Sequence, residues 1–251
     1  MKPTFLNVEH PLLTVMIQKR TPREILDTIR LAIPEGAEAF GIQIDQLRPE
    51  YRTESVYREL FAAMEGRPSY VTYYRGNLNG DRPDEELAEG MRLLAASGAT
   101  LCDVMGDMFC RHPDELTTDE VAVAKQMAYI KELHDMGAEV LMSSHLGKYA
   151  PSNRIMEIAE AQKARGADVI KIVTDAKNAT QEIEHLATLD RLRRELDRPF
   201  LFLSGGHCKI IRRIGILMGC CMCLCVHEHD ELATKVQPLL CKVKAIRDNF
   251  Q

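Results

Sequence analysis

Residues 166–173 read GADVIKIV. A glycine just past a helix takes the left-handed backbone conformation that ends it, so Gly166 marks a helix stop. Val169, Ile170, Ile172 and Val173 then form a continuous apolar run, the pattern of a strand buried on both faces of a parallel sheet. The same unit recurs along the chain: GAEAFGIQID from 36, GATLCDVMG from 98 and GAEVLMSSH from 137. Further strand candidates are LTVMI from 13, SYVTYYR from 69, PFLFLS from 199 and ILMGCCMCLCV from 216. About eight strands, mostly separated by one helix each, make the pattern of a (β/α)8 TIM barrel. A doubly wound open sheet competes with it, but no GxGxxG or P-loop pattern follows the first strand. Length and strand count therefore point to one barrel domain over residues 1–251.

The intervening segments are amphipathic. TPREILDTIRLAI, from 21, opens on a Thr-Pro cap, and SNRIMEIAEAQKARG is expected to use Ser152 as its N-cap. TTDEVAVAKQMAYIKELHDMG, from 117, carries its acids early, where they complement the helix dipole.

Bulk composition narrows the function classes. The 251 residues are 45% hydrophobic and 27% charged, with a net charge of −5. That balance is globular and offers no basic face for nucleic acid. No apolar run is long enough to span a bilayer and no signal-peptide core opens the chain, so the expected compartment is the cytoplasm. Four of the eight cysteines crowd into GCCMCLCV, 219–226, without zinc-knuckle spacing. Cys221, Cys223 and Cys225 read as small apolar residues on a buried strand.

In a parallel barrel, chemistry sits where the strands end. The candidate strand ends carry Gln43 and Asp45, Arg75, Asp103 and Asp107, and His145. Lys171 stands inside the sixth strand. A lysine in such a run is either a snorkelling edge residue or an amine kept dry to serve as a nucleophile. Alternation places Val169, Lys171 and Val173 on one face, and Ser143 and His145 on one face of the neighbouring strand. If both faces point inward, a desolvated amine and an imidazole share the lumen: an imine-forming group beside a proton carrier.

These residues also carry a family resemblance. EVLMSSHLGKYAPSNRIMEIAEAQKARGADVIKIV, 139–173, resembles the Ser-x-His fifth strand and the Gly-Ala-Asp-x-x-Lys sixth strand of type I 3-dehydroquinate dehydratase, the Schiff-base enzyme of the shikimate pathway. LSGGHCKIIRRIGILMGC, 203–220, is similar to that family's seventh- and eighth-strand segments, and GAEAFGIQIDQL and YVTYYRGNLNGD to its second- and third-strand segments. The resemblance implies a lyase with no cofactor and no metal, acting as a homodimer on a small carboxylate ketone. Lys171 would form the iminium, and His145 would move the protons. Arg212 would hold the carboxylate, with Arg213 the alternative by a one-residue slip.

Departures from the family concentrate in the substrate-reading residues. Its second-strand Glu-x-Arg is Gly41 and Gln43 here. Its third-strand glutamate falls on Asn79, with Arg75 near its expected place, and its fourth-strand Asp-x-Glu reads Asp103-Val104-Met105. HEHDELATKVQ, 227–237, stands where the family has a Ser-Ala-Pro-Gly-Gln lid. The implied substrate shell is then Arg212, Arg75, Gln43, Asp45, Asp103 and Asn79, and the implied substrate is altered. The alternatives are a genuine 3-dehydroquinate dehydratase, a class I aldolase with a phosphate on Gly205 and Gly206, a metal site built on His227 and His229 with His207 and Asp45, and a non-catalytic binding barrel.

Overall fold

The structure is a computed structural model and describes residues 3–6 and 8–250. Strands and helices alternate from end to end: β1 (Leu12–Ile17), α1 (Pro22–Glu35), β2 (Ala39–Gln43), α2 (Glu54–Ala62), β3 (Ser69–Thr72), α3 (Asp84–Ala96), β4 (Leu101–Met105), α4 (Glu120–Asp135), β5 (Glu139–His145), α5 (Ser152–Ala164), β6 (Val169–Ala176), α6 (Ala179–Glu195), β7 (Phe200–Gly206), α7 (Ile211–Ile214), β8 (Met222–Cys225) and α8 (Leu240–Asp248). All strand pairs are parallel, in the order β7-β6-β5-β4-β3-β2-β1-β8. Between β7 and β8 the seam is held by the Cys221 N–H donating to Phe200 O at 2.9 Å. This is a (β/α)8 TIM barrel.

The helix–strand beat has its physical basis in the four Gly-Ala junctions. Gly36, Gly98, Gly137 and Gly166 all adopt positive φ, between 85° and 106°, a conformation that a Cβ disfavours. Thr21 caps α1 reciprocally: its hydroxyl accepts from Glu24 N and donates to the Glu24 carboxylate. Asp119 caps α4 by accepting from Ala122 N at 2.8 Å. Ser152 behaves otherwise than expected. It is the first residue of α5, and its N–H is taken by the Glu184 carboxylate of α6 at 3.2 Å. Pro151 precedes it with no side-chain cap, so a neighbouring helix supplies the acceptor.

The third strand also stops earlier than its sequence pattern suggests. It leaves the sheet after Thr72, and Gly76 and Gly80 pair across the following turn. Cys223 and Cys225 lie buried in β8, with Cys221 just before it, and all three are free thiols.

Two arginines tie the loops at the C-terminal ends of the strands. Arg165, buried at the end of α5, donates to Gly106 O at 2.8 Å, Gln126 Oε1 at 2.9 Å and Thr117 O at 2.5 Å. It holds the loop between β4 and α4 against α5. Arg75 grips Asp84 through two parallel bonds of 2.7 and 2.6 Å and reaches Asp107 at 2.7 Å.

Arg165→Ala removes three hydrogen bonds and leaves the buried Gln126 Oε1 and Thr117 O without a donor, while Gly106 O keeps Gln126 Nε2 and the Thr117 N–H. The substitution should lower stability by about 3 kcal/mol, read from the urea midpoint. The Arg75 clamp has a pH signature. Burial pushes the Asp84 carboxyl up, but Arg75's hydrogen bonds and charge outweigh it and hold the group below its ordinary value. A lowered folded-state value gives stability that is present above the unfolded value, about pH 4, and is lost as pH falls through the folded one. The melting-temperature gap between the parent and Arg75→Gln should therefore be widest above about pH 5 and shrink below about pH 4.

Candidate active site

A cavity of about 200 Å³ opens at the C-terminal ends of the strands. Lys171 lies on its wall with its side chain only 5% exposed, and Asp103, fully buried, lies against the lysine head group. The barrel register explains the meeting: Lys171 stands opposite Ser143, Ser143 opposite Met105, and Asp103 two residues earlier on the same face of β4. Lys171 Nζ is 3.1 Å from Asp103 Oδ2, 2.9 Å from Tyr70 Oη and 2.7 Å from Tyr74 Oη. Both tyrosine hydroxyls donate to Asp103 Oδ2, and Ser143 Oγ donates to Asp103 Oδ1 at 2.6 Å. The three donors of the ammonium thus have three acceptors, and the carboxylate is saturated in turn. Burial, reinforced by the Asp103 charge, raises both phenols well above their ordinary value, so they stay protonated.

His145 ends β5 and faces the same cavity, one register step nearer the mouth than Lys171. Its Nδ1 meets Glu115 Oε2 at 2.7 Å, and its backbone N–H donates to the same oxygen. The carboxylate on Nδ1 leaves Nε2 as the free nitrogen of the ring. Tyr74 packs edge-on against His145, with ring centroids 5.4 Å apart, so one side chain touches both the lysine and the histidine.

The remaining residues of the expected shell divide. Gln43 and Arg212 line the cavity. Arg212 donates through Nε to Ser204 O at 3.1 Å, and no carboxylate lies within ion-pair distance of it among the described residues. Burial holds its guanidinium below the ordinary value, opposed by the more distant Asp175. Arg213 turns back to Lys209 O, away from the cavity. Asp45 is fully buried beside it, accepting from Asn77 Nδ2 at 2.6 Å and from Thr72 and the Tyr74 N–H. Asn79 accepts from Arg52 and donates to Tyr74 O at 2.7 Å. Arg75 is engaged by Asp84 and Asp107. These last three hold the turn that carries Tyr74.

Tyr70, Tyr74, Glu115 and Gln237 are not among the residues expected from sequence, and Ser143 is expected there only as sharing a face with His145. Tyr70, Thr72 and Tyr74 alternate, which is the signal of a shared inward face. Glu115 comes from a loop at φ 45° and has no such signal. Gln237 lines the cavity at 5% exposure, and its side-chain oxygen is buried without a hydrogen-bond partner among the described residues. It is the last residue of the segment standing in the lid's place. Gln18 holds that segment through Thr234, and His229 Nε2 donates to Gln237 O at 2.8 Å. His227 pairs with Glu35 and His207 with Glu182. No group of three metal-ligating side chains converges among the described residues.

The barrel has counterparts among proteins of known structure. The type I 3-dehydroquinate dehydratase of Clostridium difficile superposes with a TM-score of 0.79 at 15% identity, covering 96% of this chain and 92% of that one. The 3-dehydroquinate dehydratase of Geobacillus kaustophilus gives 0.80 at 16%, covering 97% and 92%. That of Enterococcus faecalis gives 0.75 at 16%, covering 98% and 96%. At such identities the likeness shows the barrel alone. No curated protein matches the sequence. The model of the type I 3-dehydroquinase family, however, matches residues 13–225, from the first strand to the last. With the family model spanning every strand of the barrel, the chain belongs to the type I 3-dehydroquinase family.

Proposed function

We propose that this protein is a hydro-lyase working through an imine on Lys171. The observation that carries the proposal is a buried lysine head group on the wall of a strand-end cavity, with a histidine and an unpaired arginine opening onto the same space. The Lys171 amine gives up a proton into the Asp103–tyrosine cluster and attacks the substrate carbonyl carbon. A C–N bond forms, and the carbonyl oxygen leaves as water after taking two protons. The resulting iminium draws electrons from the neighbouring carbon, so His145 can remove its proton. The electron pair then expels the hydroxyl one carbon further on, which His145 protonates as it leaves. Hydrolysis of the imine frees the enone and returns the amine.

Each neighbouring residue has a part in that sequence. Asp103 remains beside the cationic nitrogen and stabilises the iminium. Glu115 keeps the His145 ring oriented, and Arg212 holds a carboxylate by a guanidinium fork. The substrate is a small keto carboxylate. Family membership and the cavity positions of Arg212 and Gln237 also support 3-dehydroquinate itself, a second reading that enone absorbance during incubation with dehydroquinate tests directly.

Borohydride added with a small keto carboxylate should place the reduced adduct on Lys171, seen as a mass increment on its peptide, and Lys171→Met should show none. Absence of an adduct with every carbonyl offered would sink the imine. Glu115→Gln weakens only the orientation of the histidine. Turnover should fall about 10- to 100-fold, while the yield of trapped adduct from substrate held to equilibrium stays near that of the parent.

A further inference from the structure

On the β1–β2 side, Gln43 at the end of β2 lines the cavity, but deeper in the same wall the Gly41 position carries no hydroxyl-reading group. Gly41 has no side chain, and the space in front of it is filled: a Cβ built there would lie 2.1 Å from Met16 Sδ and 3.1 Å from Tyr70 Cδ1. Met16 is in register with Gly41 and itself lines the cavity. Val173, Leu203 and Leu224 face the same space. No aspartate or glutamate lines it among the described residues. The carboxylates nearby are already committed: Asp103 to Lys171 and the tyrosines, Glu115 to His145, Asp45 to Thr72 and Asn77, and Asp84 and Asp107 to Arg75.

Polar recognition is confined to the rest of the lining, where Gln43, Thr72, Thr234, Arg212 and Gln237 lie. Arg212 offers charge to one carboxylate. The buried Gln237 Oε1, without a partner among the described residues, offers one acceptor to one ligand donor. A ligand hydroxyl placed against Met16 or Leu224 would lose its hydrogen bonds to water and gain none. We infer that the site takes a cyclic keto monocarboxylate whose ring bears no hydroxyl on the face toward Met16, Val173, Leu203 and Leu224, apart from the leaving hydroxyl at His145 and any donor directed at Gln43, Thr234 or Gln237, and that Met16 packed over Gly41 is the specificity-determining contact. This rests on the imine reading for the carbonyl but not for the ring, because the apolar wall discriminates at binding, before any bond forms.

Calorimetric titration without borohydride separates the two. The probes are 3-oxocyclohexane-1-carboxylate and 3-dehydroquinate, the same keto carboxylate ring without and with three hydroxyls. The hydroxyl-free ring should bind at least about ten-fold more tightly, since a single unpaired buried hydroxyl already costs roughly that factor. Met16→Ser, which opens the wall and adds a hydrogen-bonding group, should shrink the preference several-fold while Arg212→Gln weakens both probes alike. An intact melting transition in each variant checks folding. Equal or tighter binding of the trihydroxy ring by the parent protein, or no binding of either ring, overturns the inference. Borohydride trapping on the same two probes reads the imine independently: binding with the stated preference but no adduct would remove the imine and leave the ring specificity standing.

Discussion

The ammonium of Lys171 lies 3.1 Å from the carboxylate of Asp103 in the barrel lumen, and much of the surrounding structure is arranged so that this pair can exist there. Two charges taken from water lose hydration that their attraction alone does not restore, so the remaining donors and acceptors must be satisfied as well. Tyr70, Tyr74 and Ser143 do this, each from a strand or strand end next to β4. The parallel register is what delivers them. A one-residue slip of β5 or β6 would turn Ser143 or Lys171 toward the helices.

Tyr74 depends on a second tier of contacts. It lies just beyond the end of β3, so the sheet does not place it. Asp45 takes its N–H, Asn79 takes its carbonyl, Arg52 holds Asn79, and Arg75 pins the following loops through Asp84 and Asp107. The histidine has its own support in Glu115, on the loop that Arg165 ties to α5. Lys171 and His145 stand on strands, and the loops are fastened by the buried Arg165 and the half-buried Arg52 and Arg75. Such an arrangement keeps geometry within the narrow tolerance that bond-making requires.

The substrate side of the cavity follows a different logic. Met16 fills the space that Gly41 leaves empty, and the cavity there meets apolar side chains. Against this, the lysine side is polar and fully bonded. The cavity is divided in this way between a polar, hydrogen-bonded side and a side lined by Met16, Val173, Leu203 and Leu224.

Residue order alone determined the barrel, because its signals are local: a glycine in the left-handed region after four of the helices, and short apolar runs of strand length. It also determined that Lys171 and His145 belong to inward-facing positions, since alternation along a strand is a property of a few consecutive residues. Which strand-end polar groups face a ligand was decided only by the tertiary structure. Asp45, Arg75 and Asn79 stand at strand ends as Gln43 and Arg212 stand near them, yet the first three bond to partners 5 to 32 residues away and the last two line the cavity. Glu115 reaches His145 from 30 residues away, out of a loop with no periodic pattern. Such pairings depend on distances across the folded barrel, and no short-range rule of sequence encodes them.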